Sequence, residues 1–75
     1  MDTDLMLEFF DRLERPDSDM KRTLRFVLAL YLMRRKELKL VEVSRGDTES
    51  LVLERRSSGD KVEVENPNLT EEQIE

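Results

Sequence analysis

Leu24-Arg25-Phe26-Val27-Leu28-Ala29-Leu30-Tyr31-Leu32-Met33-Arg34-Arg35-Lys36-Glu37-Leu38-Lys39-Leu40-Val41-Glu42-Val43 is the stretch on which the fold turns. Nine of its first ten residues are hydrophobic, a third of all such residues in the 75-residue chain. The longest unbroken apolar run, Phe26 to Met33, has eight residues, well short of the roughly 20 that a membrane span needs. The segment therefore reads as the core helix of a small globular domain. At 100° per residue its apolar arc runs from Phe26 through Leu30, Val27, Tyr31, Leu24 and Leu28 to Leu32, about 240° in all. Arg22, Arg25, Ala29 and Lys36 form the narrow stripe left for water. So wide an arc predicts burial on at least two sides, and Leu30→Glu or Tyr31→Glu is expected to unfold the domain. After Leu38 the hydrophobic period changes from that of a helix to that of a strand.

Working outward, the long helix is expected over about residues 18–38. Asp17 or Ser18 caps its start, and Arg34, Arg35, Lys36 and Lys39 stand at the end where cations complement the helix dipole. Before it, residues 4–15 predict a shorter amphipathic helix with Leu5, Met6, Phe9, Phe10 and Leu13 on one stripe, stopped by Pro16. After it come three period-two segments, about 39–44, 50–55 and 61–65. They are separated by Arg45-Gly46-Asp47 and by Ser57-Ser58-Gly59-Asp60, both turn chemistry. Val41, Val43, Leu51, Leu53, Val62 and Val64 are expected to face the helices. Glu42, Ser50, Glu54, Lys61, Glu63 and Glu65 are expected to face water. The fold class that follows is α+β: two N-terminal helices packed on a three-stranded antiparallel meander, forming one domain over residues 1–66. Residues 67–75 are an acidic segment in which Thr70-Glu71-Glu72-Gln73 is a capping box, flanked by Leu69 and Ile74 as a hydrophobic staple. A helical turn is expected from residue 70.

Composition narrows the chemistry. With no Cys and no His, the chain lacks a disulfide frame, a thiolate, the commonest general base and the commonest metal ligand. The acidic start Met1-Asp2-Thr3-Asp4 is unlike a secretory signal, so a cytoplasmic setting is expected. Both glycines, Gly46 and Gly59, fall in turns, leaving no glycine-rich phosphate loop. Neither catalytic activity, cofactor, metal nor small-molecule substrate is expected. Arg45-Gly46-Asp47 spells an integrin-binding tripeptide and Asn68-Leu69-Thr70 a glycosylation acceptor. Both motifs need an extracellular setting, so the first reads as a hairpin turn. Asp17-Ser18-Asp19 opens like a calcium loop but lacks the rest of one, and reads as a helix cap.

Charge is segregated along the chain. The total is −5, yet residues 1–20 sum to −5, residues 21–45 to +6 and residues 46–75 to −6. A basic middle segment either packs between acidic flanks or presents a basic face to an anionic partner. For the second case the candidate surface is Arg34, Arg35, Lys36 and Lys39, with Arg55 and Arg56 nearby. A helix pair followed by a hairpin is also loosely like a winged-helix layout. Against nucleic acid stand the net charge and the aromatics Phe9, Phe10, Phe26 and Tyr31, all on apolar helical faces with none on a strand to stack a base. The favoured expectation is a protein-interaction or accessory module that self-associates through the long helix, with Arg22, Arg25, Ala29, Leu32 and Met33 as candidate interface. Small Ala29 would allow another helix to approach closely. The alternative is a nucleic-acid-associated regulator using the basic end of that helix and the second hairpin.

The segment Leu28-Ala29-Leu30-Tyr31-Leu32-Met33-Arg34-Arg35-Lys36-Glu37-Leu38-Lys39-Leu40, followed by the strand pair around Leu51-Val52-Leu53, resembles a segment of short uncharacterised bacterial proteins in which such a helix precedes a β-hairpin. The resemblance covers residues 22–75. It implies a bacterial cytoplasmic setting and a C-terminal helix continuing the acidic segment, and it brings no activity and no site residues.

Overall fold

The structure, a computed structural model, describes residues 2–46 and 49–67. Helices α1 (Thr3–Arg12) and α2 (Asp19–Arg34) precede strands β1 (Leu38–Arg45), β2 (Glu49–Arg55) and β3 (Lys61–Glu65). The strands form one antiparallel sheet in the order β1-β2-β3, so the α+β arrangement holds. Asp47 of the first turn, the capping box Thr70–Gln73, its staple residues Leu69 and Ile74, and Asn68 lie outside the described residues.

Local chemistry sets each boundary. Asp2 caps α1 by accepting from the Asp4 N–H at 3.1 Å. The Leu13 N–H closes the helix on the Phe9 and Phe10 carbonyls, and the Glu14 N–H turns back to Asp11. This tightening ends α1 three residues before the expected Arg15, ahead of the constraint that Pro16 imposes. Ser18 caps α2, its Oγ accepting from the Lys21 N–H at 3.2 Å. The other end is a Schellman closure: the Lys36 N–H bonds Met33 O and the Glu37 N–H bonds Leu32 O. Lys36 adopts φ 68°, a left-handed conformation usually given to glycine. The helix is therefore shorter than the expected 18–38, because the motif closes without the glycine that would have announced it.

Both helices lie on one face of the sheet, with α2 reaching β1 and β3 and α1 beside α2. The core is Met6 and Phe10 of α1, Ala29 and Leu32 of α2, Leu38 of β1, Leu53 of β2 and Val64 of β3, all essentially buried. Each of the larger side chains contributes about 1.5–3 kcal/mol by leaving water.

Two expectations about facing are overturned. The stripe assigned to water is the one that faces the sheet: Arg25 and Ala29 are buried, together with Leu32. Leu24, Val27, Leu30 and Tyr31, expected inside, are 48%, 52%, 44% and 38% exposed. The reason is steric and electrostatic together. Ala29 lets the helix backbone sit close to the sheet, and the long stem of Arg25 carries its charge through the interior to a polar target. In β1 the register slips between Leu40 and Glu42. Leu40 pairs with Leu53 and Val43 with Leu51, so the bulge puts Leu38, Leu40 and Val43 on the inner face. Only Leu38 is buried among them; Leu40, Val41 and Val43 stay more than 40% exposed. Leu53 and Val64 are buried and Leu51 and Val62 pack against the core, as alternation predicts, whereas Ser50 is buried instead of wet.

Candidate interaction surface

The interior polar group comes first, because it fixes which side of α2 is free. The Arg25 guanidinium stacks over the Phe10 ring at 5.0 Å and donates from Nη1 to the Glu63 carbonyl of β3 at 3.0 Å. Arg55 approaches the same ring at 5.7 Å and pairs with Asp11. One aromatic ring of α1 thus holds one cation from α2 and one from β2. Arg25 Nε is buried with no hydrogen-bond partner among the described residues, and burial, with Arg55 nearby, pushes the guanidinium below its usual pKa. Glu14 and Asp11 oppose that shift. The group rotates α2 so that its Arg25–Ala29–Leu32 side is committed to the domain's own core. Of the residues expected to form a protein interface, Arg25, Ala29 and Leu32 are therefore closed to a partner. Met33 is half-buried, and Arg22 is exposed and paired with Asp19 at 2.9 Å.

The basic residues separate into two groups. Met33, Lys36, Leu38, Lys39, Leu40, Glu54, Arg55 and Arg56 line an open groove of about 580 Å³ between the end of α2 and the β1–β2 pair. It gathers Lys36 and Lys39 with Arg55 and Arg56, but leaves out Arg34 and Arg35. Two of its four cations are compensated. Arg55 is bound to Asp11, and Arg56 is bound to Glu37 at 2.9 Å, reinforced by its backbone N–H on the Glu37 carbonyl. Arg35 turns back along the helix to donate to Tyr31 Oη at 2.9 Å. That bond holds the Tyr31 hydroxyl below its ordinary pKa. Arg34 is exposed and makes no ion pair among the described residues.

The remaining feature is apolar and lies on the outside of the helix pair. Met20 is 82% exposed, and with Leu24, Val27, Leu30 and Tyr31 it makes the outward side of α2. Leu5 and Phe9 of α1 are also exposed. A shallow apolar groove of about 300 Å³, lined by Met6, Val27, Leu28 and Tyr31, runs between the two helices. The amino-acid pattern contained this face inside the wide arc, but the arc alone did not show which part of it turns outward. The 3-and-4 spacing of Met20, Leu24, Val27 and Tyr31 is the signal that would have found it.

Among the described residues no helix is long and apolar enough to cross a membrane, and no cluster of His, Cys, Asp and Glu is arranged to hold a metal ion. No protein-family model, curated protein or solved structure matches the chain.

Proposed function

We propose that the chain is a small cytoplasmic protein-interaction or accessory module that docks through the outward face of α2, without catalytic activity of its own. The observation that carries this reading is that Met20, Leu24, Val27, Leu30 and Tyr31 remain 38–82% exposed on the most apolar helix of a chain with 41% charged residues. Contiguous apolar surface of this kind on an otherwise polar domain marks an interaction site. It replaces the interface expected from Arg25, Ala29 and Leu32.

The alternative, a nucleic-acid-associated regulator, draws on the groove that unites Lys36, Lys39, Arg55 and Arg56. It is the weaker reading, because two of those four cations are engaged by Glu37 and Asp11 and phosphate binding needs uncompensated charge.

Val27→Glu separates a docking face from a structural one. In a domain whose outer helix face is free, this variant unfolds in denaturant within about 0.5 kcal/mol of the parent at dilute concentration. A loss of about 2 kcal/mol or more, the range of a core substitution, would mean that the face is part of the fold and would sink the docking reading.

A further inference from the structure

Apart from the outer face of α2, we infer that β1 is a self-complementary edge, pairing antiparallel with β1 of a second copy of this chain about a two-fold axis level with the Leu40–Val41 peptide. Among the described residues β2 is the only neighbour of β1 in the sheet, and all seven residues of β1 after Leu38 are exposed. Three of them, Leu40, Val41 and Val43, are apolar and more than 40% exposed. A strand of this length with one side of its backbone open is a template for another strand. The opposite edge of the sheet differs. There β3 has five residues, and its Glu63 carbonyl accepts from Arg25.

The bulge chooses both the occupant and the register. Lys39 stands opposite Glu54 and Glu42 opposite Val52. Glu54 and Val52 are two apart in β2, so Lys39 and Glu42 share the outer face. By the same count Leu38, Leu40 and Val43, opposite Arg55, Leu53 and Leu51, share the inner one. Residues that meet across an antiparallel pair lie on one face. Setting Lys39 against the partner's Glu42 satisfies this, and it brings Leu38 against the partner's Val43. A shift of one residue either way opposes inner residues to outer ones. A regular strand such as β2 leaves one residue of β1 without a partner at the bulge. A second copy brings an identical bulge to the axis, so every residue from Leu38 to Val43 is opposed.

Charge agrees with this register. On the outer face Lys61 of β3, Glu54 of β2 and Lys39 of β1 stand in one cross-strand row of alternating sign. The partner's Glu42 continues that alternation, and the two-fold axis repeats the pair. Neither Lys39 nor Glu42 forms an ion pair among the described residues. The ladder ends just past Leu38, because at Lys36 the chain leaves the strand line with φ 68°. So short a ladder makes a small interface, and the dissociation constant is expected on the order of 100 μM.

Sedimentation equilibrium of the intact chain from about 10 to about 1000 μM tests the pairing, with circular dichroism checking that every variant keeps a cooperative melt. The parent chain should pass from monomer to dimer. Glu42→Lys, which faces only Val52 in its own sheet, and Lys39→Glu should each weaken the dimer roughly tenfold, since each sets like charges across the axis twice. Combining the two should restore the dissociation constant to within roughly threefold of the parent, and Val27→Glu, on α2, should leave it within the same range. A parent chain that stays monomeric throughout, a Glu42→Lys variant that dimerises like the parent, or a double variant no tighter than the single ones overturns the pairing. Loss of the dimer in Val27→Glu but not in Glu42→Lys would move the contact to α2 and overturn it as well.

Discussion

Arg25 brings a positive charge to the junction of α1, α2 and β3, where the Phe10 ring and the Glu63 carbonyl receive it. Its contribution is divided. The stem and ring contact pack the core, while the buried Nε, unpartnered among the described residues, costs desolvation. Arg25→Met keeps the stem and removes the charge, so chemical denaturation should find it within about 1 kcal/mol of the parent. Arg25→Ala also empties the space beside Phe10 and should cost about 2–3 kcal/mol. If both variants lose the same amount, the charge and not the packing is what holds α2 in place. Lys36 is the second residue with a clear energetic signature. A non-glycine residue at φ 68° is strained, and the Schellman bonds it makes need no side chain. Lys36→Gly should therefore raise stability by about 0.5–1 kcal/mol, read as a shift of the unfolding midpoint at constant slope. A lowered midpoint would show that the lysine side chain contributes more than its backbone costs.

At the scale of elements, α2 decides most of the architecture, and Ala29 decides how α2 sits. With no exposed surface, its methyl group faces the sheet at close approach, and Ala29→Leu should destabilise by about 1–3 kcal/mol through overpacking. Leu30→Glu and Tyr31→Glu, by contrast, change side chains that are 44% and 38% exposed. Cooperative thermal melts should survive both, contrary to what the helical wheel alone predicts. The existence, order and type of all five elements were legible in the residues, because Ser18, Pro16, Gly59 and the change from helical to alternating periodicity are local signals. The orientation of α2 was not. An apolar arc of about 240° has no unique centre, and the choice was made by an alanine and an arginine that look solvent-facing in isolation. The end of α2 was overrun for a related reason, since Lys36 occupies the place where glycine would have marked the stop. The β1 bulge likewise escaped, because Leu40-Val41-Glu42-Val43 reads as unbroken alternation from Val41 onward, and only pairing with β2 reveals the slip.

For the whole molecule, the segregated charges partly resolve into the fold. Asp11 of the acidic N-terminal segment reaches Arg55, and Glu37 reaches Arg56, which ties α1 and the α2–β1 connection to β2. Of the basic middle segment, Lys21, Arg22 and Arg45 pair with Asp17, Asp19 and Glu49 of the acidic flanks, whereas Arg34, Lys36 and Lys39 have no ion pair among the described residues. Among the described residues the apolar outer side of α2 remains uncovered, and the docking proposal stands on that side being free in the monomer. The chain has no native cysteine, so single substitutions at Leu24, Val27, Ala29 and Leu32 give four clean probes of α2. Thiol-labelling rates under native conditions, at a concentration low enough to keep the chain monomeric, read the accessibility of each position. Cysteines at Leu24 and Val27 should react within roughly tenfold of an unstructured peptide, and those at Ala29 and Leu32 on the order of a thousandfold more slowly. Rapid labelling at Ala29 with protection at Val27 would place the opposite side of α2 against the sheet and contradict the docking face.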